Sequence, residues 1–226
     1  MKIYSDGADI LSMDKINDCV DGFTTNPTLM LKSGVKDYLD FAKQVVDRFD
    51  KPISFEVFSD DFEEMYNQAL TLSKLSDNVY VKIPVTNTKA EPSYELINKL
   101  SNENVKVNVT AVFTFDQIFQ INQVLNKEVQ SIISVFAGRI ADAGIDPEPY
   151  IRYACDTRVK NCEILWASTR EVFNIYQAKK CRCDIITVPP ALIDKYNKFK
   201  SKNLNEFSLD TVKDFYEDAK KAKYTI

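Results

Sequence analysis

Histidine is absent from the 226 residues. Its absence excludes His-based nucleophile triads, His general bases and every His-containing metal site. Acid–base chemistry must then fall to Asp, Glu, Lys, Tyr or Cys. No apolar run approaches the roughly 20 residues that a membrane span requires. Asp6 and Asp9 fall where the apolar core of a secretory leader would lie, so no leader is expected. No Gly/Ser linker or low-complexity tract divides the chain, and no Gly-rich nucleotide loop follows any β-rich run. A doubly wound dinucleotide-binding sheet is therefore the weaker architecture. The net charge of −4 argues against a duplex nucleic-acid surface. The five cysteines are odd in number, which suggests reduced thiols and a cytoplasmic setting. Cys181-Arg182-Cys183 has no second pair at metal-ligand spacing, so no metal site is expected there.

What is present describes a folded protein. Hydrophobic residues make up 45% and charged residues 27%, a balance that excludes disorder as the main state. The length suits one domain with a large core. Eight β-rich runs recur roughly every 20 to 31 residues, the size of a βα unit. They are Lys2–Asp6, Gly22–Thr25, Pro52–Val57, Val79–Ile83, Val105–Val109, Ser131–Phe136, Glu163–Ser168 and Asp184–Val188. Apolar residues at helical spacing fill most gaps, as in Val35, Tyr38, Leu39, Ala42, Val45, Val46 and Phe49. Eight such units imply a single α/β domain over residues 1–226, a closed (β/α)8 barrel. A further helix is expected from Ser208 to Ala222, with Ser208 as its cap and Leu209, Val212, Phe215 and Ala219 on one side.

Strand alternation then separates two faces. Val105, Val107 and Val109 point one way, which sends Lys106, Asn108 and Thr110 the other. Val79, Val81 and Ile83 share a face opposite Tyr80 and Lys82; Ile53, Phe55 and Val57 lie opposite Ser54 and Glu56. With the apolar rows against the helices, Asp6, Glu56, Lys82, Asn108, Thr110 and Ser134 enter the barrel near the C-terminal strand ends. Barrel enzymes carry their catalytic residues there. Unpaired buried charges cost several kcal/mol each in practice, roughly, so such a cluster implies a role.

A strand lysine is an amine nucleophile for a carbonyl once neutral, and burial favours the neutral form. Asp6 and Glu56 can move protons, Asn108 and Ser134 can hold hydroxyls, and Arg139 with Arg170 suits a phosphate. Either arginine taken alone is equally compatible with a surface ion pair. Together the set reads as Schiff-base chemistry on a phosphorylated sugar.

These residues resemble the transaldolase family, in its short branch. Gly22-Phe23-Thr24-Thr25-Asn26-Pro27-Thr28-Leu29 is similar to the family's T-T-N-P signature, and Val81-Lys82-Ile83-Pro84-Val85-Thr86 to its Schiff-base lysine segment. Asn108-Val109-Thr110, Phe136-Ala137-Gly138-Arg139-Ile140 and Ala167-Ser168-Thr169-Arg170 follow in family order. The resemblance implies that Lys82 forms the imine and Asp6 takes the proton from the donor's C4 hydroxyl. It implies that Glu56 works with a water that Thr110 helps position. Asn26, Asn108 and Ser134 would hold a dihydroxyacetone unit, Arg139, Ser168 and Arg170 a phosphate, and Phe136 would shape the pocket floor. It further implies no cofactor, sugar-phosphate substrates, no nucleic-acid or membrane partner, and a homo-oligomer, pentamer or decamer. Related fructose-6-phosphate aldolases tend to carry glutamine and tyrosine where this chain has Glu56 and Phe136. Val135 departs from the family's usual proline. The open alternatives are an aldolase that releases free dihydroxyacetone and a non-catalytic sugar-phosphate-binding barrel.

Overall fold

Eight short parallel strands pair in sequence order, and the last pairs with the first to close the sheet into a barrel. They are β1 (Lys2–Asp6), β2 (Gly22–Thr24), β3 (Ile53–Glu56), β4 (Val79–Pro84), β5 (Val107–Val112), β6 (Ser131–Val135), β7 (Cys162–Trp166) and β8 (Ile185–Val188). The α-helices are α1 (Ile10–Ile16), α2 (Pro27–Lys32), α3 (Tyr38–Arg48), α4 (Phe62–Ser73), α5 (Tyr94–Asn102), α6 (Phe115–Val124), α7 (Ala137–Asp142), α8 (Glu148–Thr157), α9 (Phe173–Lys180), α10 (Pro190–Phe199) and α11 (Leu204–Ala222). This is a computed structural model describing residues 1–225. The chain separates into two compact units, residues 1–193 and the segment from Asp194 onward.

Helix starts follow local chemistry. The Asp37 and Asp61 side chains accept backbone N–H groups at the heads of α3 and α4. Thr114 and Gln117 form a reciprocal capping box on α6. The outward strand residues Val79, Val81, Ile83, Val107, Val109, Ile133 and Ile164 are buried with the inner faces of these helices. Inside the barrel, Tyr4, Tyr80, Ile132, Leu165, Ala167 and Ile185 form a plug on which Phe136 packs. The barrel is thus filled below, and its polar residues lie above that plug.

Register carries the inward row around the sheet. Asp6 pairs with Thr24, Thr24 with Ser54, Glu56 with Lys82, Lys82 with Asn108, and Ser134 with Leu165. Two expected elements need correction. The fifth strand starts at Val107 and runs to Val112, so Lys106 precedes it; its ammonium donates to the Asp77 carbonyl at 2.8 Å and lies 5.7 Å from the centre of the Tyr80 ring. The last helix starts at Leu204, with Asn203 as its cap, and Ser208 lies within it. In the second unit, Phe199 packs on Phe207, while no residue of α11 is buried.

Candidate active site

The C-terminal ends of the strands surround a cavity of about 70 Å³. Asp6, Asn26, Lys82, Thr110, Ser134, Phe136, Arg139 and Ser168 all line it. Eight of the eleven candidate residues therefore meet in one place. Glu56 and Asn108 stand directly behind them, and Arg170 does not reach the cavity.

Lys82 is buried, with 6% of its surface exposed. Its ammonium donates to the Thr25 carbonyl at 2.9 Å and pairs with Glu56 Oε2 at 2.9 Å. Such an arrangement stabilises an amine that would otherwise lose its solvation uncompensated. It also places a carboxylate where it can remove the ammonium proton. The Glu56 backbone is fixed from outside: the Tyr38 hydroxyl accepts from Glu56 N at 2.8 Å and donates to Glu56 O at 2.6 Å.

Asp6 extends from the end of β1 into the same cavity. Burial raises its pKa above the ordinary carboxylate range, against the opposing pull of Lys82 and of a hydrogen bond from Thr24. Thr24 donates to Asp6 Oδ1 at 2.8 Å, and its oxygen lies 2.5 Å from the hydroxyl of Thr187. Thr24 and Thr187 also line the cavity. They fall outside the expected set, although alternation from Ile185 places Thr187 on the inward face.

Asn108 is fully buried and spends both ends of its amide on neighbours. Its Nδ2 donates to Ser54 Oγ at 3.0 Å, and its Oδ1 accepts from Ser134 Oγ at 2.7 Å. Thr110 Oγ1 is buried without a hydrogen-bond partner among the described residues. It precedes Ala111, whose φ of 57° coincides with a register shift in β5. Asn26 caps α2, accepting from Leu29 N at 2.9 Å through its carbonyl oxygen, and the cap leaves its amide nitrogen unused.

The far side of the cavity combines Arg139, at the head of α7, with Ser168, which follows β7. The Arg139 guanidinium stands over the Phe136 ring, 5.6 Å from its centroid. Gly138 brings the two segments together: a Cβ there would fall 1.6 Å from the Ser168 carbonyl oxygen. Ser168 itself has φ 62°. Arg170 turns away and pairs with Asp142, its Nη2 2.6 Å from Asp142 Oδ2 at a half-exposed position. Among the described residues, no group of His, Cys, Asp and Glu side chains is arranged to hold a metal ion.

The site can form and break an imine at Lys82, with two carboxylates for proton movement and a cationic rim. Comparison with known proteins identifies the family. A family model described as transaldolase/fructose-6-phosphate aldolase matches residues 3–226. A probable transaldolase of Brucella anthropi is 34% identical over 220 residues, covering 94% of this chain and 97% of its own. One from Methanococcus maripaludis is 33% identical over 205 residues, covering 86% and 89%. Among solved structures, 3-hexulose-6-phosphate synthase from Salmonella typhimurium superposes with TM-score 0.63 at 15% identity, covering 88% of this chain and 97% of that one. At that identity the likeness concerns the barrel fold alone.

Proposed function

The chain belongs to the transaldolase/fructose-6-phosphate aldolase family, and from that premise we propose that it is a transaldolase. It moves a dihydroxyacetone unit from a ketose phosphate, such as fructose 6-phosphate or sedoheptulose 7-phosphate, to an aldose phosphate. The acceptors are erythrose 4-phosphate and glyceraldehyde 3-phosphate, substrates of the pentose phosphate pathway. The observation that carries this reading is the buried Lys82 ammonium, held by Glu56 and the Thr25 carbonyl within the mouth. A site that merely bound sugar phosphates would gain nothing from burying an amine there.

In the proposed sequence, Glu56 takes a proton from Lys82, and the freed amine attacks the donor's C2 carbonyl. Loss of water to the imine uses Glu56 and a water held by Thr110. Asp6 removes the C4 hydroxyl proton, the C3–C4 bond breaks, and the aldehyde leaves. The electron pair remains as an enamine on Lys82, which attacks the acceptor aldehyde, and the steps run in reverse. Asn26, Ser134 and Asn108 hold the three-carbon unit, Asn108 through the amide it shares with Ser134. Arg139 and Ser168 take the phosphate, and Arg170 joins them on leaving Asp142.

Borohydride reduction in the presence of fructose 6-phosphate tests the reading. The expected result is a single adduct, located by peptide mass spectrometry on Lys82. An adduct on another lysine, or none, overturns it. The residues from 1 to 193 supply every group in the proposed site. The exposed apolar row of α11 supports a homo-oligomer.

A further inference from the structure

Two threonines stand beside Asp6 with no part in the steps described above. Thr24 lies on β2 and Thr187 on β8, the strands that flank β1 on either side. Both are buried, and both line the same cavity as Asp6 and Lys82. Their hydroxyl oxygens meet across β1 at 2.5 Å. Thr24 also donates to Asp6 Oδ1 at 2.8 Å. The backbone holds each of them in place. Gly7 N donates to the Thr24 carbonyl at 3.0 Å, which ties the residue after Asp6 to β2. The Thr169 hydroxyl donates to the Thr187 carbonyl at 2.7 Å, which ties the end of β8 to the segment after β7.

Counting hydrogens gives this chain a direction. An ionised carboxylate only accepts, and a threonine hydroxyl has one hydrogen to give. Thr24 gives its hydrogen to Asp6, so toward Thr187 its oxygen can only accept. Thr187 is therefore the donor, and the chain runs from Thr187 through Thr24 to Asp6 while the carboxylate is ionised. Successive hydrogen bonds polarise one another in a buried setting. Thr24 that accepts from Thr187 is thus a stronger donor to Asp6 than Thr24 alone. A valine at 187 would fill nearly the same volume but leave the Thr24 oxygen without that donor. The chain also occupies Oδ1, which leaves Oδ2 to take up the substrate's proton.

We propose that Thr187 is a positioning residue for Asp6, acting through Thr24 to hold the carboxylate ionised and oriented toward the donor's C4 hydroxyl. The proposal rests on the transaldolase reading of the site. Burial pushes the other way, toward the neutral acid. The charged groups around Asp6 are Lys82 on β4 and Glu56 on β3, and Arg139 lies on the far side of the cavity. Replacing Thr187 alters none of them. Loss of its hydroxyl disfavours the ionised Asp6, so the acid limb of bond cleavage moves to higher pH and cleavage slows. Imine formation at Lys82 is spared.

The test compares Thr187→Val and Thr187→Ser in the full chain. With fructose 6-phosphate and borohydride, both variants are expected to give the Lys82 adduct in wild-type yield. Cleavage is read as glyceraldehyde 3-phosphate released in single turnovers, with enzyme in excess over fructose 6-phosphate. Thr187→Val is expected to cleave about 3- to 10-fold more slowly, the worth of one hydrogen bond. Its acid limb is expected about 0.5 to 1 pH unit higher. Thr187→Ser restores the hydroxyl and is expected to restore both values. In a Thr24→Val background, adding Thr187→Val should slow cleavage little further, because the link to Asp6 is already cut. A wild-type acid limb in Thr187→Val, equal losses in the valine and serine variants, or full additivity with Thr24→Val overturns the proposal. Where Thr187→Val fails to fold, Thr187→Ala removes the same hydroxyl and is held to the same outcomes. Borohydride trapping in the wild type decides separately whether Lys82 is the nucleophile, so failure of that reading is distinct from failure of the role given to Thr187.

Discussion

At the scale of single residues, the site joins two carboxylates in opposite situations. Glu56 is paired with Lys82, whereas Asp6 is buried with its pKa raised by desolvation. A base must be ionised, so the acid limb of kcat is expected at higher pH than an ordinary carboxylate would give. The stability consequence has the opposite sense. Folding binds a proton more tightly at Asp6, so its contribution to stability falls as pH rises from the unfolded carboxylate range through the raised folded value. Asp6→Asn should therefore unfold at higher denaturant than wild type at neutral pH, with the difference vanishing at acid pH. Its carbon–carbon cleavage should fall about 10²–10⁴-fold, with imine formation retained. Equal midpoints at neutral pH would remove desolvation as the dominant cause. Lys82→Arg keeps the charge but cannot attack, because guanidinium stays protonated, and an active variant would refute the nucleophile assignment. Phe136→Tyr adds a hydroxyl at the pocket floor that can orient a water toward the enamine. Release of glyceraldehyde 3-phosphate from fructose 6-phosphate should then need added erythrose 4-phosphate less than it does in wild type. Lys82, Asp6 and Glu56 were legible because a charge on an inward strand position stands out. Thr24 and Thr187 were not, since β-branched threonine is ordinary in strands. The Arg170–Asp142 pair was hidden for a different reason: its partners stand 28 positions apart.

At the scale of elements, the eight strands and the long helices follow from the two periodicities of the chain. The misses are short or terminal pieces. The six-residue helices α2 and α7 complete too few turns to show an apolar stripe. The displaced start of β5 reflects Val105, an apolar residue that continues the strand pattern backward while its neighbour Lys106 reaches Asp77. Asn203 and Ser208 are both competent caps, and the segment Leu204-Asn205-Glu206-Phe207 between them is helical, which moves the start to the earlier one. Gly138 offers a test of how elements build the site. Its Cβ would clash with the Ser168 carbonyl oxygen, so Gly138→Ala must push the head of α7 away from the end of β7. Overpacking of this kind costs about 1–3 kcal/mol. It should also raise KM for sugar phosphates more than it lowers kcat, because Arg139 and Ser168 separate. Gly7, where a Cβ meets nothing within 4 Å, is the matched control, and Gly7→Ala should leave KM unchanged. Equal KM for wild type and Gly138→Ala would detach this glycine from the phosphate side of the cavity.

At the scale of the molecule, closure of the barrel leaves no free sheet edge, so association must use helices or loops. Helix α11 has the composition for that role. Val212, Phe215 and Tyr216 are 60%, 70% and 65% exposed and stand at helical spacing, beside Leu209 at 53%. An exposed apolar row of this length marks an interaction surface. Charged residues occupy the same helix at Asp210, Lys213, Asp214 and Glu217, so it has the two-sided pattern of a helix that buries one face. The full chain is therefore expected to scatter light as a particle several times the mass of one chain, larger than a dimer, at micromolar concentration. Val212→Glu combined with Phe215→Glu places two charges within the row. Burying them would cost far more than leaving them in water, so the assembly should dissociate. Residues 1–193 carry the whole proposed site, so imine trapping on Lys82 should persist in the dissociated form. That readout separates loss of assembly from loss of fold. A wild-type monomer, or a variant that keeps its full mass, would assign the apolar row of α11 to something other than self-association.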